Sequence, residues 1–390
     1  SSPTIRPVNI GKCVREPTAC GETDNYRHEN TFYNHTLVGT LVGTDIAEAN
    51  LEAKLKTWNA FQFERVGFNL RPELVAVKDI GGNADAFAAT AKKIAETSEF
   101  NLVLMTEDLN VMKAGVEACG FKRPLMYAAT EANADDFGAL AKENNLPLAI
   151  KADSVEALVP LSKKLTEMGL KDLVLDPGSR EIKQSNEDQI AIRRAALKDA
   201  NRDVGFPTIT FPCEMASNLD MESLIAGMHI AKYGGIVILS DFIGESLFPL
   251  LVSRLNIFTD PQRPMTVTEG IYEINNPDEN SPILVTTNFA LTYFIVSGEI
   301  EGSRVPTWLL IKDSEGLSVL TAWAAGKFAG DDVGMFVKKS GIADKVKTRE
   351  LVIPGYAAAI VGEVEEELPD WTITVGPREA PHIPAFLKDR

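Results

Sequence analysis

Apolar residues along this chain come in short runs that return with a steady beat. The runs Leu74-Val75-Ala76-Val77, Leu102-Val103-Leu104-Met105, Leu125-Met126-Tyr127-Ala128 and Leu148-Ala149-Ile150 open the series. Leu173-Val174-Leu175, Ile209-Thr210-Phe211 and Ile236-Val237-Ile238-Leu239 continue it, roughly 23 to 36 residues apart. Each is too short for a helix and apolar without alternation, as strands buried on both faces are. Between them apolar positions recur at helical spacing, as in 85–97, 132–143, 155–168 and 221–233. Strands alternating with helices predict a parallel sheet covered on both sides. Seven such units, with an eighth strand in either Met265–Ile274 or Thr36–Thr44, fit a closed (β/α)8 TIM barrel assigned to residues 51–275. A doubly wound open sheet is the alternative.

Outside this rhythm the pattern changes twice. Residues 1–50 mix Gly, Pro, Asn and Asp with short apolar runs and read as a leader packing on the barrel. The polar stretch Asn275-Asn276-Pro277-Asp278-Glu279-Asn280-Ser281-Pro282 reads as a boundary. Beyond it, strands are predicted near 283–287, 308–313, 349–353 and 371–375, with helices at 289–297, 317–328, 332–339 and 356–367. That is a second α/β domain of Rossmann or flavodoxin type over residues 281–390.

The strands of this second domain end in turns of little bulk: Thr286-Thr287-Asn288, Gly316-Leu317-Ser318, Pro354-Gly355 and Gly376-Pro377. Ligands of open parallel sheets sit outside the carboxyl ends of the strands, so four stripped ends predict a broad, flat ligand. Ser318, Thr321, Ala322, Ala324, Ala325 and Gly326 continue the theme along one helix, and Tyr356-Ala357-Ala358-Ala359 opens the next. Close helix–sheet packing would use the same residues equally well. No Gly-x-Gly-x-x-Gly turn or Walker loop follows a strand, so nucleotide binding has no support.

Composition narrows the classes. The apolar fraction of 45% and charged fraction of 24% are ordinary for a globular protein. A net charge of −16 without a basic cluster argues against nucleic-acid binding. No apolar run is long enough for a membrane span, since 235–251 is broken by Asp241 and Glu245. The opening Ser1-Ser2-Pro3-Thr4 has no secretory character, and a cytoplasmic protein with reduced thiols is expected. Cys13 and Cys20 stand too far apart for the usual zinc or iron–sulfur hairpin. His28, His35, His229 and His382 form no pair at metal-ligand spacing. At barrel strand ends, Lys78, Asp79, Glu107, Asp108, Lys151, Asp153, Asp176, Gly178 and Glu214 could be catalytic or could cap the following helices. With no histidine or paired carboxylates among them, a binding or scaffold role is the stronger expectation.

Longer strings carry a resemblance. Val285-Thr286-Thr287-Asn288-Phe289-Ala290-Leu291-Thr292-Tyr293-Phe294, Asp313-Ser314-Glu315-Gly316-Leu317-Ser318, Ile353-Pro354-Gly355 and Val375-Gly376-Pro377-Arg378-Glu379-Ala380 are four of them. In the barrel, Asn101-Leu102-Val103-Leu104-Met105, Leu173-Val174-Leu175-Asp176-Pro177-Gly178 and Phe258-Thr259-Asp260-Pro261-Gln262 are three more. They resemble the large (gamma) subunit of the corrinoid iron–sulfur protein, the methyl carrier of the anaerobic acetyl-CoA (Wood–Ljungdahl) pathway. That family joins an N-terminal 4Fe–4S domain, a barrel and a corrinoid domain. The cluster-binding cysteine motif has no counterpart here, so the resemblance implies a chain beginning after that domain, with no cluster ligands to assign.

The resemblance implies a cobamide whose Co(I) accepts a methyl group from methyltetrahydrofolate on a separate methyltransferase. Methyl–Co(III) then donates it to acetyl-CoA synthase. Implied partners are the small (delta) subunit as heterodimer, that methyltransferase, acetyl-CoA synthase/CO dehydrogenase and a reductive activator. The Asp-x-His-x-x-Gly loop of many methyl-transfer corrinoid domains is missing, which implies a base-off cobamide without a histidine ligand. By motif, Ser318 and Thr321 fall beneath cobalt. Thr286, Thr292 and the backbone of Gly316, Leu317, Ser318 and Val319 hold the corrin amides or nucleotide tail, and Gly355, Tyr356, Gly376 and Ala380 line the rest. The competing reading is a pterin- or methyltransferase-type barrel enzyme with an accessory α/β domain, in which Asp176, Lys151 and Glu214 would be essential.

Overall fold

The computed structural model describes residues 5–11, 18–21, 34–65, 68–258 and 264–390. Cys13, His28 and the stretch from Thr259 to Gln262 lie outside the described residues. The chain divides into two compact units, Ser1–Phe63 with Asn69–Asp260, and Glu64–Phe68 with Pro261–Arg390. No described helix is long and apolar enough to cross a membrane.

The first unit is the predicted barrel. Its eight parallel strands run, side by side, Leu173–Asp176, Leu148–Lys151, Leu125–Ala129, Asn101–Met105, Leu74–Lys78, Leu37–Gly43, Ile236–Leu239 and Ile209–Thr210. A parallel bridge between Leu175 and Thr208 joins the two ends into a ring. The helices between strands begin where short polar side chains cap them. Asn83, Asp108, Ser154 and Asn218 each accept a hydrogen bond from a backbone N–H in the first turn.

The ring resolves the open choice of an eighth strand and corrects both domain boundaries. Leu37–Gly43, inside the stretch read as a leader, is the first barrel strand, with Leu37, Val38 and Val42 buried. Gly39 lets it lie close to its neighbours, since a β-carbon there would fall 2.8 Å from Ile238 Cδ1 and 2.9 Å from Leu74 Cβ. Gly270–Ile274 belongs instead to the second unit, pairing antiparallel with Thr307–Lys312 as a half-buried edge strand. Two short strands near the start of the chain also join this unit. The hairpin of Val8–Ile10 and Thr18–Cys20 buries Val8, Ile10 and Cys20 in the cluster that fills the barrel interior. Asn101, at the start of its strand, donates its side-chain N–H to Thr18 Oγ1 at 2.7 Å, so the hairpin sits at the amino end of the strands.

In the second unit the sheet order is Gly270–Ile274, Thr307–Lys312, Ile283–Thr287, Glu350–Ile353, Thr372–Val375, parallel except for the first strand. Side chains alternate between two cores. Leu284, Leu309, Ile311 and Val352 meet the helices Ala290–Ser303 and Ile383–Lys388 through Ile300, Ile383 and Leu387. Ile283, Val285, Leu310, Leu351 and Ile353 meet Val333, Phe336, Val337 and Val364 on Gly330–Ser340 and Val361–Glu367. This is the doubly wound arrangement expected. The helix predicted at 317–328 is shorter, Val319–Ala324, because the chain turns at Gly326 with φ +69°.

Candidate functional site

In the second unit the chain builds outward from Ile283–Thr287 to Thr307–Lys312, then crosses back to Glu350–Ile353 and Thr372–Val375. The reversal falls between Ile283–Thr287 and Glu350–Ile353. These strands are paired at Ile283↔Leu351 and Leu284↔Val352 alone, whereas Ile283–Thr287 keeps register with Thr307–Lys312 along its whole length. Past Leu284 and Val352 the two strands part. Val285 and Thr286 line one side of the gap, Ile353 and Pro354 the other, and the gap opens into a cavity of about 500 Å³. Crevices at such reversals are where open α/β sheets bind ligands.

Thr286, Thr292, Ser318, Val319, Tyr356, Gly376 and Ala380 line this cavity. Gly316, Leu317, Thr321 and Gly355 do not; they shape its walls. The side-chain oxygen of Asn288 accepts from the backbone N–H of Ser314 and Gly316 and from Ser314 Oγ, each at 3.0 Å, while its amide donates to Asp313 at 2.8 Å. The loop so pinned passes through Gly316 at φ +74° and delivers Ser318 to the cavity. Leu317 anchors the loop on the adjoining core. Thr321 is exposed and lies 3.1 Å from Ser318, hydroxyl to hydroxyl.

The opposite wall is two turns bound to each other. Gly355 donates its N–H to Pro377 O at 3.0 Å, and Gly376 donates to Ile353 O at 2.9 Å. A β-carbon on Gly355 would lie 2.6 Å from Gly376 O and 2.7 Å from Arg378 N, so a side chain there would force the turns apart. Tyr356 donates its phenolic hydrogen to Glu379, and that bond with the carboxylate's charge raises the phenol above its ordinary pKa. The floor is apolar (Leu284, Val285, Val352, Ile353), and Ile295, Leu320 and Tyr356 stand on the rim at 45%, 47% and 40% exposure. Exposed apolar side chains gathered around a crevice mark a binding surface. Ile295, Leu320, Arg378 and Glu379 carry no role in the sequence reading. The last two stand in a string conspicuous for its glycine, and Ile295 and Leu320 look like ordinary helix residues until the sheet brings them together.

The cavity lining holds no histidine or cysteine. Among the described residues no group of three or more His, Cys, Asp or Glu could hold a metal ion. His229 is buried in the barrel unit, where burial lowers its pKa to about 4, and His382 is exposed. Burial pushes the thiols of Cys20, Cys119 and Cys213 up to about 12, which leaves them unreactive.

At the barrel mouth the competing candidates are already engaged. Buried Asp176 accepts from Tyr127 OH at 2.6 Å, Gly178 N at 2.8 Å and Arg180 Nη2 at 2.9 Å. Arg180 also donates to Glu214 at 2.6 Å and lies 4.6 Å over the Phe211 ring, and Lys78 meets Glu214 at 3.0 Å. Lys151 pairs with Glu107 at 2.7 Å. Burial disfavours the Glu214 charge, but Arg180 and Lys78 outweigh it and hold its pKa below the ordinary value. A general acid or base needs a pKa near the working pH, which this lattice moves away from.

Residues 7–387 match the protein family described as CO dehydrogenase/acetyl-CoA synthase delta subunit. The chain is 40% identical, over 100% of its length and 86% of the relative's, to a corrinoid/iron-sulfur protein large subunit of Moorella thermoacetica. It is 36% identical, over 99% of its length and 86% of the relative's, to the acetyl-CoA decarbonylase/synthase complex subunit gamma of Methanopyrus kandleri. Among solved structures, 7,8-dihydropteroate synthase of Vibrio fischeri covers 65% of the chain at 11% identity and a TM-score of 0.44, with 100% of its own chain covered. A match spanning both units, with identity at this level across the whole length, places the chain in the CO dehydrogenase/acetyl-CoA synthase delta-subunit family, with corrinoid/iron-sulfur protein large subunits and acetyl-CoA decarbonylase/synthase gamma subunits as its relatives.

Proposed function

We propose that this chain is the cobamide-carrying large subunit of a cytoplasmic corrinoid iron–sulfur protein. It shuttles a methyl group from a methyltetrahydrofolate methyltransferase to acetyl-CoA synthase in the reductive acetyl-CoA pathway. One observation carries the reading: an apolar-rimmed crevice without imidazole, at the strand reversal of a chain 40% identical to a corrinoid/iron-sulfur protein large subunit. The proposed partners are the small (delta) subunit, the methyltransferase, acetyl-CoA synthase/CO dehydrogenase and a reductive activator.

A bound cobamide supplies the nucleophile that takes up and hands on the methyl group. The residues present fit such a group. Gly355 and Gly376 bring backbone, rather than side chains, to the crevice wall, which suits close approach by a large ring. Thr286, Thr292 and Ser318 offer hydroxyls to the ring's carboxamides, and Asn288 fixes the Ser318 loop beforehand, lowering the ordering cost of binding. With no imidazole in the lining, the crevice would offer the group no histidine ligand, and the base-off form without a histidine is the state we assign to it. The paired state of Asp176, Lys151 and Glu214 speaks against a reaction centred in the barrel.

Reconstitution with hydroxocobalamin tests the proposal. The expected product retains the corrinoid through gel filtration, has a base-off absorption spectrum, and in the Co(II) state gives an electron paramagnetic resonance signal without nitrogen splitting. Loss of the corrinoid on filtration, or splitting from a protein nitrogen, would overturn it.

A further inference from the structure

The crevice lining contains one cation and one anion, Arg378 and Glu379, adjacent in the turn after the last strand. The anion is engaged by the Tyr356 hydroxyl. The cation is exposed and has neither an ion pair nor a side-chain hydrogen bond among the described residues. Lys327, Lys338, Lys347 and Arg390 of the same unit each hold a carboxylate, whereas Arg378 is the cation in the crevice lining and holds none. The carboxylate next to it in the chain is bound instead to Tyr356 on the facing turn.

We infer that Arg378 receives the phosphodiester of the cobamide's nucleotide tail, so that the crevice selects tail-bearing cobamides over cobinamides, which lack the nucleotide. The inference rests on the cobamide reading above. Around the corrin ring a cobamide carries neutral carboxamides, and the phosphodiester is the fixed anion of its organic part. A guanidinium presents a planar fork of donors that matches two phosphate oxygens at once. An unpaired arginine at an apolar crevice therefore meets the one part of the ligand it can bind strongly. Glu379 is the carboxylate placed in sequence to capture the arginine, and the Tyr356 hydroxyl engages it instead. Tyr356 is thus a positioning residue for Arg378, acting through Glu379.

The test is equilibrium titration of this chain, freed of corrinoid, with cobalamin and with cobinamide, followed by absorbance. Arg378→Gln should raise the cobalamin Kd about tenfold, the scale of a hydrogen bond to a charged group, and leave the cobinamide Kd unchanged. Tyr356→Phe should shift the cobalamin Kd in the same direction, and adding Glu379→Gln should restore it. Equal weakening of both corrinoids by Arg378→Gln, or no change in either, overturns the inference while the cobamide reading stands. So does calorimetric binding of inorganic phosphate that Arg378→Gln abolishes without altering the cobalamin Kd, since the arginine would then serve free anions. Binding of neither corrinoid by the unaltered chain overturns the cobamide reading and this inference with it.

Discussion

Ser318 and Thr321 show how neighbouring hydroxyls divide their work. Ser318 lines the crevice, whereas Thr321 stands outside it and reaches Ser318 by a hydroxyl contact. Ser318→Trp should therefore fill part of the cavity and lower cobalt retained per chain severalfold, while Thr321→Trp should change retention little; metal analysis after gel filtration measures both. The sequence marks the strand ends as small but does not rank the residues in them. Thr286 and Thr287 are equivalent by type, yet Thr286 lines the crevice and Thr287 does not. Gly316 contributes a backbone angle rather than a surface, and Arg378 needs the folded turn before its lack of a partner is visible.

Among the elements, the first barrel strand is the one that local pattern leaves undecided. Thr36–Thr44 and Met265–Ile274 have similar strand character, and long-range partners choose between them. Glu73 and Arg254 are chief among these partners. Arg254, 6% exposed, donates to Glu73 at 2.8 Å, Thr36 O at 3.0 Å and Arg71 O at 3.0 Å. Glu73 in turn accepts from Val38 N at 3.0 Å, so one pair ties the last barrel helix to the first strand. Arg254→Ala should destabilise the barrel by about 3–5 kcal/mol in urea denaturation, because it strands a buried carboxylate.

The same pair sets a pH dependence. Burial raises the Glu73 pKa, but Arg254 and His35 outweigh it and bring it down to about 2. Its unfolded counterpart, near 4.5, takes up a proton first as the solution is acidified. The stabilisation is thus full above about pH 4.5 and fades toward pH 2, and is worth about 3 kcal/mol in all. Urea midpoints measured between pH 5 and pH 3 should fall less steeply for Glu73→Gln than for the unaltered chain.

At the scale of the whole molecule, each unit has its own buried clusters. The sequence announces both folds, because buried parallel strands need unbroken apolar runs and these are local. It misplaces the boundary because Gly270–Ile274 joins the second sheet through antiparallel pairing with residues far along the chain. Separate cores predict two calorimetric transitions. A corrinoid at a hundredfold excess over its Kd should add about 2.7 kcal/mol to the unit that binds it, raising that transition by several degrees and leaving the barrel's in place. A single transition that moves as a whole would count against two independent cores.

The sheet of the second unit is least stitched at the strand reversal, where backbone pairing stops after Leu284 and Val352. Elsewhere in the sheet, opening a strand means breaking a full row of hydrogen bonds; along this seam much of that row is already missing. The domain should breathe there first, at a lower free energy than its core strands. A flat molecule wedged into the seam would then act as the missing thread, and the cofactor would become part of the fold that carries it.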